Sequence, residues 1–373
     1  MPVPGKAVIH RRVPLARRNL LAEPRRLAAS ALGVGMAIML ILLLDGLWAG
    51  IQANITTYED NVGADLYVAQ PGTRNFFGAV SVIPADTVDA VRADPDVDWA
   101  AGVRGFFSIV ELHDTKVATY VIGSTPGDRG GPWELRQGRA PSADDEVAIG
   151  SVMARRHGID VGDPLEIMGR SFTVVGTTTD AFMASFVFMT HAATDRLLSS
   201  PGTTSFVLAG TDDPAAVRDR LEATGLSVLD RDQLARADLD LMARAYRVPI
   251  AVMRAVAFAI GSIVIALTAY TAIVDRRREY GIVKAMGARA VQLVSLAVEQ
   301  SLLIAASGLV AGGLLFMVGR ALIGWARPQF VILATTGSVG RAAAAALVMG
   351  LVAAIVPARR LARLEPAAAY RSG

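Results

Sequence analysis

Cysteine is absent from the 373 residues, which excludes disulfide staples and thiolate metal sites and leaves every folded part dependent on its own core. The four histidines, His10, His113, His157 and His191, are scattered without metal-ligand spacing, so no bound metal is expected. No G-x-x-x-x-G-K-[ST] loop occurs, which excludes nucleotide binding in the P-loop manner, and no G-x-S-x-G elbow offers a serine nucleophile. Gly33-Val34-Gly35 has the look of a dinucleotide fingerprint but lies inside an apolar run, where small residues serve close helix packing. Within residues 52–247 no period of 20 to 50 residues repeats and no low-complexity linker intervenes.

Apolar residues are abundant instead, at 53% of the chain, more than an ordinary soluble domain carries. Four runs, approximately 27–51, 248–274, 291–318 and 338–358, are long enough to cross a hydrocarbon core of roughly 30 Å, which needs about 20 helical residues. The first is too long for a signal-peptide core and is expected to remain as an anchor. Lysine and arginine cluster before the first run (Lys6, Arg11, Arg12, Arg17, Arg18, Arg25, Arg26), between the second and third (Arg276, Arg277, Arg278, Lys284, Arg289) and after the fourth (Arg359, Arg360, Arg363, Arg371). By the positive-inside rule both termini and the middle loop face the cytoplasm. Residues 52–247 carry 17 basic and 28 acidic side chains, and the remainder 20 basic and 6 acidic. The basic remainder suits anionic lipid, not nucleic acid, and the acidic stretch is large enough to fold on the far side of the membrane.

The fold class expected is therefore a membrane α-helical protein with four transmembrane helices and an α+β extracytoplasmic domain inserted between the first and second. The segments are a cytoplasmic N-terminal stretch (residues 1–26), spans 27–51, 248–274, 291–318 and 338–358, the outer domain 52–247, a cytoplasmic loop 275–290, a short outer loop 319–337 and a cytoplasmic tail 359–373. Within the outer domain, strand-like runs at Asp65–Ala69, Val117–Ile122, Ser171–Val175, Phe186–Met189 and Ser205–Leu208 alternate with helical stretches at Ala85–Ala93 and Ala215–Thr224. Leu165–Gly176 reads as a hairpin turning at Gly169-Arg170 with Gly169 in a type II′ turn. Two subdomains meeting near Asp180–Ser200 are compatible with the pattern. Arg231–Tyr246 has helical spacing and runs into the second span, interrupted only by Pro249. Leu15–Leu27 fits either an amphipathic helix on the inner leaflet or a plain basic flank.

Ionisable residues within the spans are few, and each costs about 3 kcal/mol at the bilayer centre. Asp45 lies near the outer end of the first span, where the cost falls. Glu299 is about eight residues into the third, roughly 12 Å deep, and is expected to face a partner helix or water, through an interhelical hydrogen bond more readily than a proton-transfer role. Arg254 and Arg341 can snorkel outward without a special role. In the middle loop, Glu279–Ala288 continues with helical periodicity, Tyr280, Ile282, Val283 and Met286 offering apolar contacts, and Gly281 and Gly287 permitting close approach or a turn. A short helix of this kind can dock into a groove of a cytoplasmic partner.

On these residues the chain resembles the MacB-type (type VII) ABC transporter permeases, the FtsX-like permease family. The family's loop R-x-x-E-[IY]-G-[IL]-x-[KR]-A-[IM]-G-A stands here as Arg276–Ala288, RRREYGIVKAMGA, and Glu299 matches a glutamate found in the next helix of many members. Residues 357–371 resemble the family's PAxxAAxxxPxxALR ending, with Tyr370 in place of the usual leucine. Ala16–Gly35 resembles its N-terminal amphipathic helix and first span, and Glu146–Gly150 and Gly158–Gly176 resemble its extracytoplasmic core domain.

The resemblance implies a multi-pass plasma (inner) membrane permease subunit, itself not an enzyme and binding no cofactor. It implies two permease copies, as a homodimer or related heterodimer, held by two copies of a separate cytoplasmic ATPase that binds ATP and Mg. Arg278, Glu279, Tyr280, Gly281, Ile282, Lys284, Ala285, Met286, Gly287 and Ala288 would then form the coupling helix, and ATP-driven closure would move the outer domains to export or extract a substrate by mechanotransmission. An extracytoplasmic adaptor or lipoprotein is a further possible partner. The alternative implied is a signalling permease that activates an outer enzyme such as a cell-wall hydrolase; such members usually carry a smaller outer domain.

Overall fold

The computed structural model describes residues 24–78, 80–112, 115–180, 185–327 and 330–362. The expected N-terminal amphipathic helix and the end of the C-terminal motif lie almost wholly outside these residues. In chain order the elements begin with α1 (Pro24–Asn54), α2 (Thr57–Val62), β1 (Leu66–Ala69), β2 (Ile83–Pro84), α3 (Thr87–Arg92), β3 (Trp99–Leu112) and β4 (Thr115–Ser124). There follow β5 (Leu135–Gly138), β6 (Glu146–Gly150), α4 (Ser151–His157), β7 (Pro164–Ile167), β8 (Arg170–Thr178), β9 (Ser185–Thr190) and α5 (His191–Leu198). The chain continues with β10 (Thr203–Thr204), β11 (Phe206–Gly210), α6 (Pro214–Glu222), β12 (Ser227–Asp230), α7 (Arg231–Asp275), α8 (Arg277–Ala285), α9 (Ala290–Ala326) and α10 (Thr336–Ala362).

Two compact units result, one of Leu47–Val248 with Ile323–Leu333, the other of the segments up to Gly46, Pro249–Leu322 and from Ala334 onward. In the first unit a ten-stranded mixed sheet runs β12-β1-β11-β3-β4-β9-β6-β8-β5, with β7 on β8. Its central strands are apolar on both faces: every residue of β1, β9 and β11 is buried, the pattern of strands covered from both sides. β9 pairs β4 in parallel and β6 antiparallel, so Ser185–Thr190 lies inside this one sheet. Local chemistry sets the helix starts: the Thr190 side chain accepts from Ala193 N to begin α5, and Asp213 does the same for α6, with Pro214 in the first turn.

The hairpin β7–β8 forms, with a different turn. Its last pair is Ile167 with Arg170, and Met168 (φ 51°) and Gly169 (φ 76°) are both left-handed. That is the backbone of a type I′ turn on Met168-Gly169, whose twist matches the strands, in place of the expected type II′.

One core of this unit is aromatic. Tyr58, Phe76, Phe186, Phe206 and Tyr120 pack together, with Trp133 edge-on to Tyr58, Phe186 and Phe188. The buried hydroxyls are satisfied: Tyr58 donates to Gly130 O at 2.9 Å and Tyr120 to Phe76 O at 3.1 Å. Beneath them lies an acid pair. Asp238 of α7 and Glu59 of α2 are wholly buried; Asp238 accepts from Phe76 N at 2.9 Å and Phe77 N at 3.0 Å. Among the described residues neither Glu59 carboxyl oxygen accepts from an N–H or a hydroxyl, and its side-chain neighbour is the Asp238 carboxyl.

At the surface, Glu146 fastens the start of β6. It accepts from Arg139 Nη1 at 2.7 Å, Ser142 N at 2.9 Å and Ala143 N at 3.1 Å. The Arg139 bonds, with help from the backbone amides, push its pKa down to about 2. Because the folded value is depressed, this contribution to stability is complete above the unfolded carboxylate range and is lost as pH falls from about 4.3 toward about 2. Arg139→Gln is expected to raise the Glu146 pKa and shift acid unfolding to higher pH, followed by tryptophan fluorescence of the full chain; an unchanged acid midpoint would refute the attribution.

Among the described residues four helices are long and apolar enough to cross a membrane, and within the second unit they approach closely through small residues. A Cβ on Gly308 would lie 2.6 Å from Val34 Cβ; one on Gly312 would lie 2.8 Å from Ile38 Cβ and 2.9 Å from Gly35 O; and one on Gly35 would lie 3.1 Å from Gly312 N. The Gly308-x-x-x-Gly312 face of α9 is thus packed backbone to backbone on α1. α7 continues unbroken through Pro249.

Candidate functional site

The loop between α7 and α9 folds as α8. Its end is set by Gly287 at φ 97°: Ala288 N bonds Val283 O at 3.2 Å and Gly287 N bonds Lys284 O at 3.1 Å, the paired bonds of a Schellman cap. Without a Cβ, glycine holds that conformation at no steric cost. The inner side of α8 is anchored. Tyr280 is buried with Ile273 of α7, Leu293 and Ala297 of α9, and Ala358 and Leu361 of α10, and Val283 packs on the same cluster. Gln300 Nε2 lies 3.4 Å from the Tyr280 hydroxyl, and Lys284 Nζ donates to Ala362 O at 3.1 Å. Gly281 is buried. At the start of α7's neighbour α1, Arg26 donates to Asp275 at 2.7 Å, tying α1 to the residue that precedes the loop.

The outer side is free to be read. Arg278, Glu279, Ile282, Ala285, Met286 and Gly287 are exposed and Ala288 is half-buried. Met286 is 74% exposed and Ile282 40%, giving two apolar anchors beside the charged Arg278 and Glu279, the composition of a helix that docks in a partner's groove. Of the apolar residues expected to meet a partner, Tyr280 and Val283 instead fix α8 to its own bundle.

Two matches bear on this arrangement. Residues 27–224 match the MacB-like periplasmic core domain, and residues 251–366 match the FtsX-like permease C-terminal domain. The chain belongs to the MacB-type, FtsX-like family of ABC transporter permeases. An uncharacterized ABC transporter permease of Mycobacterium tuberculosis is 25% identical over 362 residues, 95% of this chain and 98% of that protein. The macrolide export ATP-binding/permease protein MacB of Nitrosomonas europaea is 22% identical over 398 residues, 98% of this chain and 59% of that longer protein. The periplasmic region of MacB from Actinobacillus actinomycetemcomitans aligns with 48% of this chain and 94% of its own at 12% identity and a TM-score of 0.37.

The permease departs from the sequence-based expectations within its spans. Asp45 is buried, and the two arginines expected to snorkel without a role both pair with it: Arg254 Nη1 at 2.8 Å and Arg341 Nε at 2.7 Å. Three helices, α1, α7 and α10, are thereby tied by one carboxylate. Glu299 lies on an exposed face of α9 and makes no interhelical hydrogen bond among the described residues; the next residue, Gln300, is the buried polar group. One position is a 100° turn on a helix, and the packing of Leu293 and Ala297 on Tyr280 decides which of the two faces inward. The permease's outer unit also holds an open recess of about 480 Å³, lined by Asn61, Ser124, Arg129, Trp133, Ser142 and Phe188 among others, within the volume range of small-molecule clefts.

Proposed function

We propose that the chain is the non-catalytic membrane subunit of an ABC system that exports or extracts a substrate by mechanotransmission. In this reading it sits in the plasma membrane with α8 and the basic flanks in the cytoplasm. A separate ATPase in two copies binds ATP and Mg and receives α8, and two permease copies stand together. The observation that supports it most is the two-sided build of α8. Its outer side presents Ile282 and Met286 beside Arg278 and Glu279, and its inner side is clamped by Tyr280 to α7, α9 and α10 at once. A displacement imposed on such a helix is passed to three membrane helices, which is what a nucleotide-driven bistable device requires.

The test is Glu279→Lys and Gly287→Val in the permease purified with its ATPase. Gly287→Val strains the left-handed cap by about 1–3 kcal/mol, a local cost. Glu279→Lys reverses a charge that is 65% exposed. Both are expected to abolish permease-stimulated ATP hydrolysis while membrane insertion, read by flotation with vesicles, is retained. Wild-type stimulation in both variants would remove α8 from the coupling path.

A further inference from the structure

The Asp45 cluster is unbalanced. One buried carboxylate faces two guanidinium groups, leaving a surplus of one positive charge. Arg254 spends only Nη1 on Asp45. Arg341 spends Nε on Asp45 and reaches Ser338 Oγ with Nη2 at a long 3.4 Å. Among the described residues, the Nε and Nη2 of Arg254 and the Nη1 of Arg341 have no acceptor. These side chains are 38% and 56% exposed, against 3% for Asp45, so both guanidinium groups remain open to a further acceptor while the carboxylate is enclosed.

The surroundings narrow what can meet those edges. Val348, Val352 and Ile355, further along α10 on the helix face that carries Arg341, are exposed aliphatic side chains. A free inorganic anion satisfies the guanidinium groups and leaves the aliphatic wall bare. A phospholipid satisfies both, its phosphate accepting from planar donors suited to phosphate oxygens and its acyl chain lying along α10.

We propose that Arg254 and Arg341 form a binding site for the phosphate of an anionic phospholipid, at the end of the helix bundle that adjoins the inserted outer domain in sequence. The site rests on the reading that these helices span a bilayer. Asp45 sets the spacing of the two guanidinium groups and lowers the charge that the lipid must match.

The experiment is native mass spectrometry of the full permease, titrated in detergent with phosphatidylglycerol or phosphatidylcholine. Wild type is expected to retain phosphatidylglycerol in preference to phosphatidylcholine. Arg341→Gln is expected to weaken that retention about fivefold, the worth of one basic side chain at an anionic surface. Asp45→Asn raises the surplus charge from one to two and is expected to strengthen retention. This opposite sign separates the site from a purely structural pairing, in which both variants would weaken retention alike; that outcome overturns the proposal. Displacement of the lipid by millimolar inorganic phosphate would reassign the site to a free anion. Equal retention by wild type and Arg341→Gln, or dissociation of a permease dimer by Arg341→Gln without lipid loss, would also overturn it. Vesicle flotation of wild type reports bilayer insertion independently, so failure of the spanning reading is seen separately.

Discussion

Glutamine at both Arg254 and Arg341 is expected to destabilise the helix bundle by about 3–5 kcal/mol, the cost of leaving a buried charge without its partners. Each single replacement is expected to cost only about 0–1 kcal/mol, because the remaining half-exposed arginine still holds Asp45. The effect is therefore strongly non-additive, and its coupling term is the signature of one carboxylate shared by two cations. A four-member mutant cycle, unfolded in bicelles by increasing SDS and read by circular dichroism, measures it. Additive single and double effects would show that Asp45 does not depend on the pair. The geometry behind the expectation is the 3% exposure of the Asp45 side chain with both of its oxygens engaged; water has little access to replace a lost guanidinium.

The second large effect concerns two adjacent glycines of α9 that alanine should move in opposite directions. At Gly312 a new Cβ would stand 2.8 Å from Ile38 Cβ and 2.9 Å from the Gly35 carbonyl oxygen, closer than nonbonded carbon tolerates. The carbonyl belongs to backbone and cannot rotate away. Gly312→Ala is expected to part α9 from α1 and cost about 1–3 kcal/mol. At Gly313 nothing lies within 4 Å of a new Cβ, and Gly313→Ala is expected to stabilise by about 0.5–1 kcal/mol through helix propensity alone. The same unfolding assay gives both values. Shifts of equal sign and size at the two positions would refute close packing at Gly312.

Much of this architecture is legible in the sequence. Four apolar runs long enough to span, an acidic insert between the first two, and the RRREYGIVKAMGA loop all depend on composition or contiguous pattern, which survive without three-dimensional context. β3 leaves no strand signal in the sequence because its fourteen residues, Trp99–Leu112, include Gly102 and Gly105 and follow no clean alternation; its burial changes along its length as its neighbours change from β11 to β4. The hairpin turn was shifted by one residue because Met168 rarely adopts positive φ, and the Ile167–Arg170 register imposes it. Arg254 and Arg341 looked like ordinary end-of-helix cations because their partner lies 209 and 296 residues away. The inward face of α8 was similarly hidden: Tyr280, Ile282, Val283 and Met286 share apolar character, and only the ends of α9 and α10 decide which are covered.

Glu59 and Asp238 give the outer unit a chemical dependence of its own. Two carboxyls in contact, both wholly buried, are held above the ordinary carboxylate range, by burial first and for Glu59 by the Asp238 charge next, so the joined pair binds a proton more readily than the parted groups. Any rearrangement that parts α2 from the first turns of α7 and wets both groups sets that proton free. Over the pH range where the joined pair holds one proton and the parted groups none, each unit of acidification favours the joined state by about 1.4 kcal/mol. The short helix after α1 and the helix that enters the second span are therefore linked to the proton concentration of the compartment that the outer unit faces.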